Sequence, residues 1–308
     1  MEQREHQKAM IEAAMIATMT TIFVVGTFYI PLLSMLLVLI PVPFLVLAAR
    51  RATRYAFFSF IITALLIGVL TGIIYSLFIF VIFGPMTMIM GSWIRRNKNP
   101  HEVIFAGAFA SAAATFLLIY LISLISGIQL AVELGQVFES VLEQQAGSLQ
   151  QLNIEPVAVE EVINYMLLIF PALIMVQALL GSFINYYLTI AVLRRSEAYR
   201  EKLPEFSHFR LPGHVVMGSF LVLLLSWLTS YVESFNTEGM VANVVLLIVM
   251  IFFMQGISLI SYWIKRTRVP KWFRILSLII LVLLSPIITL IALLGLMDSL
   301  ADFRKLTS

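Results

Sequence analysis

Apolar runs of about 20 residues recur along this chain, separated by short clusters of charge and proline. Each is long enough to cross roughly 30 Å of hydrocarbon as an α-helix rising 1.5 Å per residue. The runs are continuous rather than alternating, which predicts spanning helices and not barrel strands. Spans are predicted over residues 9–28 and 32–49, the second interrupted by Pro41 and Pro43. Residues 55–94 carry basic clusters at both ends, so they hold two spans, joined tightly near Thr71 and Gly72. A fifth span covers 102–126. The stretch from Pro156 to Leu193 would be about 57 Å long as one straight helix, so it either projects from the bilayer or kinks at Pro171. Further spans cover 214–232, 241–263 and 275–297. The pattern predicts an all-α, polytopic membrane protein with about nine transmembrane helices. The alternative is eight plus a re-entrant segment at Pro286, which would put Arg304 and Lys305 on the side of the other basic residues.

Composition agrees with that reading, since 61% of the 308 residues are hydrophobic and 12% charged, with a mean hydropathy of +0.99. These values exclude a soluble domain. The distribution of charge says more than the net +3. All Lys and Arg except Arg304 and Lys305 fall at the amino terminus or in alternate loops, and none occurs between Asn99 and Leu193. Cytoplasmic loops collect Lys and Arg, so the amino terminus is predicted inside and the acidic loop outside, in the cell (cytoplasmic) membrane. The chain then divides into a six-span section at 1–193 with an acidic outer loop at 128–161, a basic cytoplasmic loop at 194–213, and a three-span section at 214–308. In the outer loop, Leu130, Leu134, Val137 and Val141 lie at helical spacing and predict a short amphipathic helix. The charged amino terminus is read as leading into a retained span, not a cleaved signal.

The chain contains no cysteine, and its four histidines form no ligand-like spacing, so no metal site, thiol chemistry or other cofactor is expected. It has no Walker loop, nucleophile elbow or paired carboxylate in a confirming context. The expectation is therefore no enzyme, no ATPase and no nucleic-acid partner. The remaining candidates are polar side chains at membrane depth, which are unfavourable there unless paired and which often line a pathway. Tyr75, Asn164, Gln177, Asn243 and Gln255 are the candidate substrate-binding residues, because amide groups offer both donors and acceptors to a neutral metabolite. Equally, such amides bond across helices as structural ties. Ala9, Ala13 and Ala17 recur four apart on one face, a spacing that lets another helix approach closely. That face is either packed within this chain or a contact stripe for a partner helix. Asp298, Asp302 and Arg304 form a carboxyl-terminal cluster whose role the sequence leaves open.

Four segments carry a resemblance: IEAAMIATM from Ile11, FRLPGH from Phe209, FMQGISLISYWIKRTRVPKW from Phe253 and LGLMDSLADFRK from Leu294. With these the whole chain resembles the YybS family of bacterial integral membrane proteins, also called the domain of unknown function 2232 family. That family is itself similar to the substrate-binding S components of energy-coupling factor transporters. The resemblance implies a Gram-positive bacterium and a six-helix section that exposes alanines to a transmembrane coupling subunit served by ATPases. Ala9, Ala13 and Ala17 fit that arrangement; the three additional spans do not. The expected function is a substrate-binding or transport subunit for a small metabolite. The alternative is a membrane scaffold or regulatory protein that binds a partner through the loop from Arg194 to His214.

Overall fold

The structure, a computed structural model, describes residues 2–127, 156–195, 206–231, 236–267 and 287–304, with a few single positions between them. Among the described residues all regular structure is helical. Eight helical segments are long and apolar enough to cross a membrane, and Ile288–Ala301 is a shorter apolar helix. The protein is thus a multi-pass α-helical membrane protein. Most of the first half of the span expected at 275–297 lies outside the described residues, as does most of the amphipathic stretch from Leu130 to Leu142. The chain forms two compact units, residues 1–134 with 174–201 and residues 135–173 with 202–308.

The first unit contains α1 (Glu2–Tyr29), α2 (Pro41–Arg50), α3 (Thr53–Thr71), α4 (Ile73–Arg95) and α5 (Pro100–Ser126), together with most of α7 (Phe170–Arg195). Pro31–Leu39, ahead of α2, is wound as a 310 helix. Pro41 and Pro43 have no N–H to give to the carbonyls four residues back, Leu37 and Leu39, so a regular α-helix cannot run through them. The Ile40 N–H turns instead to the Leu37 carbonyl, at 3.0 Å. Between α3 and α4 the chain reverses at Gly72, whose φ of 104° only glycine adopts without strain.

The core of this unit is built on α1, α2 and α3, where Phe44 meets Phe60 edge-on with ring centroids 4.9 Å apart. Small side chains set how closely these helices approach. A Cβ at Gly91 would lie 2.6 Å from the Ala48 Cβ, so α2 and α4 touch almost backbone to backbone. Hydroxyls fasten the seams: Ser59 Oγ donates to the Ala13 carbonyl at 2.7 Å, and Ser111 Oγ donates to the Ile82 carbonyl at 3.0 Å. At the basic end, Arg51 forks between Glu12 (2.8 Å) and Glu5 (2.7 Å), tying the start of α1 to the turn after α2. Glu12 is therefore placed by a cation from its own chain.

The second unit contains α6 (Pro156–Leu168), the first turn of α7, α8 (Gly213–Leu228), α9 (Thr237–Arg266) and α10 (Ile288–Ala301). Of the two courses open to the long stretch from Pro156, the chain breaks next to Pro171: α6 ends at Leu168 and α7 begins at Phe170. Proline removes a donor and crowds the preceding turn, which opens the adjoining hydrogen bond between the Leu168 carbonyl and the Ala172 N–H. The Asn243 side chain occupies that opening. Its amide nitrogen donates to the Leu168 carbonyl at 2.8 Å, and its oxygen accepts from the Ala172 N–H at 2.7 Å. Helices α9 and α10 cross at Gly256 and Gly295, where a Cβ would lie 2.0 Å from the Ile291 and Phe252 carbonyl oxygens respectively. No side chain fits at that crossing.

Candidate functional site

The first unit holds a cavity of about 400 Å³ near the end of α4 that is remote from Arg95. One wall is the 310 segment, with Ser34 and Val38; others are Tyr75 and Phe78 of α4, Ser111 of α5, and Gln177 with Gly181 of α7. The proline-driven change of winding brings Ser34 and Val38 to this place. Asn185 holds the segment against α7: its amide nitrogen donates to the Val38 carbonyl at 2.8 Å and to the Gly181 carbonyl at 2.7 Å. Both carbonyls belong to residues that line the cavity. On the other side Tyr75 packs on Phe28 of α1, ring centroids 5.0 Å apart.

Chemically the cavity is apolar with a few neutral polar groups, and among the described residues Tyr75 is the one ionisable side chain that lines it. Ser111 already donates to Ile82, so its hydroxyl has only acceptor capacity left. Such a lining, mostly hydrophobic and aromatic with a few convergent polar atoms, is the usual make-up of a small-molecule pocket, and its size falls within the usual range.

Of the five residues expected to bind substrate, this cavity gathers Tyr75 and Gln177. The other three belong to the second unit. Asn164 is exposed on α6. Asn243 is spent on the break before α7 and on its own helix, where it also donates to the Gly239 carbonyl at 2.7 Å. Gln255 is fully buried, accepts from the Leu211 N–H at 3.0 Å and donates to Asp298 at 2.9 Å. These last two amides have both their donor and acceptor groups engaged within the protein.

The alanine stripe needs a like correction. Ala9, Ala13 and Ala17 are 2%, 7% and 1% exposed, because α3 of the same chain lies along them. Ser59 and Thr63 of α3 reach the Ala13 and Ala17 carbonyls that the small side chains leave accessible. The stripe is filled from within, and the exposed face of α1 is instead Met10, Met15, Met19 and Ile22.

The open question of the carboxyl-terminal cluster resolves into a buried polar knot. After α10 the chain turns at Asp302, left-handed with φ of 46°, and its N–H donates to the Asp298 carbonyl at 3.0 Å. That turn folds Arg304 back beside Asp298, with Nη2 to Oδ2 at 2.6 Å and neither side chain exposed. The same guanidinium donates to the Ser207 carbonyl (2.8 Å), the Phe209 carbonyl (3.0 Å) and Ser258 Oγ (2.9 Å). Arg210 meets Asp302 at 2.9 Å nearby. Residues 206–211 thus start as a short 310 turn, Phe206–His208, and the carbonyls of Phe206, Ser207 and Phe209 find donors inside the protein, as burial among spanning helices requires.

Three segments that carry the sequence resemblance meet at this knot: Phe209 and Leu211, Gln255 and Ser258, and Asp298 with Arg304. The family described as predicted membrane protein (DUF2232) matches residues 18–299. This chain belongs to the DUF2232 family. A relative named Uncharacterized protein YybS, from Bacillus subtilis (strain 168), is 21% identical over 301 residues, covering 94% of this chain and 96% of its own. No solved structure matches.

Proposed function

We propose that this DUF2232 protein is a membrane-embedded binding or transport subunit that takes a small metabolite into the cavity of its first unit. The observation that carries the reading is the meeting of Tyr75 and Gln177, far apart in sequence, in one cavity walled by a 310 segment that Asn185 fixes in place. The reading assigns the chain no catalytic step and no cofactor. Because the sequence has no Walker motif, active uptake would draw its energy from a gradient or from a separate ATPase-bearing coupling subunit. Such a subunit would dock on a surface other than the alanine face of α1, which is filled. The basic loops support a placement in the cytoplasmic membrane with the amino terminus inside. The alternative, a scaffold acting through the loop from Arg194 to His214, would rest on the part of that loop not consumed by the knot at Ser207, Phe209 and Leu211.

Native mass spectrometry of the protein extracted gently from its own membrane tests the proposal. A retained small molecule that disappears in a Gly181→Leu variant of unchanged melting temperature is the expected result. A protein that never carries a small molecule, or carries one that Gly181→Leu leaves in place, would refute it.

A further inference from the structure

We infer that the cavity of the first unit selects an uncharged ring compound whose edge sets a hydrogen-bond donor beside an acceptor, as a lactam or pyrimidinone does. The inference rests on the cavity being the binding site and names the class of molecule that fits there.

Charge is decided by what the lining lacks. Among the described residues no Lys, Arg, His, Asp or Glu lines the cavity, and the described ion pairs of this unit involve Glu5, Lys8, Glu12, Arg50, Arg51, Lys98 and Glu102 at its basic end. An ionised ligand would leave water and find no counter-charge, a transfer that is strongly unfavourable in a low-dielectric site.

A ring is favoured by the walls. Tyr75, Phe78 and Phe83 present aromatic surface, and the Met86 thioether lies beside them. Aromatic pairs and sulfur–aromatic contacts both add to simple area burial. The volume of about 400 Å³ lies toward the lower end of the range for ligand pockets, roughly 300–1,000 Å³. One ring or two fused rings match it better than a molecule with a long tail.

The polar edge follows from Gln177. Its carboxamide sets NH₂ donors next to a carbonyl acceptor, and no hydrogen bond within the described residues occupies either group. A carboxamide pairs in bidentate fashion with a partner that presents the reverse arrangement, which is how glutamine reads the edge of a nucleobase. The Ser34 and Tyr75 hydroxyls, equally unspent, serve as donor or acceptor for further groups on the ring.

Four probes test this on the full chain in lipid nanodiscs: uracil and hypoxanthine as neutral lactams, orotate as the carboxylated counterpart of uracil, and naphthalene as a ring with no polar edge. Binding is read by native mass spectrometry and by the shift in melting temperature. Uracil or hypoxanthine should bind, with orotate and naphthalene weaker by about tenfold or more, the worth of one good hydrogen bond or more. Gln177→Leu should weaken the lactam by a similar factor while the ligand-free melting temperature stays unchanged; if that variant fails to fold, Ser34→Ala is read in its place. Preferred binding of orotate overturns the uncharged class, and naphthalene binding as tightly as hypoxanthine overturns the polar edge. Should no probe bind while the extracted protein carries a metabolite that Gly181→Leu removes, the class is wrong and the site stands. If neither probe nor metabolite responds to Gln177→Leu or Gly181→Leu, the cavity reading falls, and this inference with it.

Discussion

Asn243 replaces, with one side chain, a backbone hydrogen bond that Pro171 opened. Removing it while the proline remains should leave the Leu168 carbonyl and the Ala172 N–H unpaired in an apolar surround. Asn243→Leu is expected to destabilise the protein by about 0.6–2 kcal/mol, the range measured for side-chain hydrogen bonds between membrane helices. Adding Pro171→Ala lets the backbone bond re-form, so the double variant should recover part of the loss; strictly additive melting temperatures would contradict this account. Arg304 is a harsher case, because its partner Asp298 has no exposed surface. Arg304→Met should remove about 3–5 kcal/mol, since a lone carboxylate would then be buried without its cation. Arg304→Met combined with Asp298→Leu should be less damaging than Arg304→Met alone, and a double-mutant cycle on thermal unfolding measures the difference.

At the scale of elements, helix contacts here are governed by where side chains are small. α1 meets α3 along Ala9, Ala13 and Ala17, and hydroxyls of α3 bond to the exposed carbonyls. Ala13→Leu therefore forces the seam apart and is expected to lower stability by about 1–3 kcal/mol, as overpacking does. The check is the melting temperature of the purified protein, measured before any partner is considered; a fully stable variant would reopen the stripe as an outer contact. Gly295→Ala is the more severe test. Its Cβ would lie 2.0 Å from the Phe252 carbonyl oxygen, and backbone cannot yield as a flexible side chain does. A larger loss of folded yield than for Ala13→Leu is the expected outcome.

At the scale of the whole molecule, the two units use their membrane-depth polar groups differently. The first unit has its described ion pairs at its basic end and, among apolar helices, a cavity lined by no charged residue among those described. The second spends Asn243, Gln255 and its buried ion pair on the backbone of residues 168–172 and 206–211. Variants of the knot should accordingly change stability, whereas Gln177→Leu should change ligand retention and leave stability alone. Comparing melting temperature with retained ligand across both sets separates the two roles.

How much of this was legible in the sequence depends on the range over which each signal acts. Hydrophobic runs and proline breaks are local, and they predicted the all-α multi-pass fold and named Pro171 as one of two ways to accommodate the long stretch from Pro156. Hydropathy places a span because each residue answers separately to the bilayer. The candidate cavity was legible in part: Tyr75 and Gln177, named for their chemistry, line it, but nothing local distinguishes Gln177 from Gln255, since both are amides within apolar helices. Tertiary packing decided between them. Gln255 lies against Leu211 and Asp298 and is satisfied, while Gln177 lines a cavity with its groups unspent among the described residues. The same holds for the alanines, whose spacing advertises a close helix contact without saying whose helix makes it. Sequence by itself determined that this chain spans a membrane many times as helices, because that depends on residues acting alone or with near neighbours. Which polar groups remain free for a ligand only the tertiary structure decided, because a hydrogen bond is either filled or open according to residues far away along the chain.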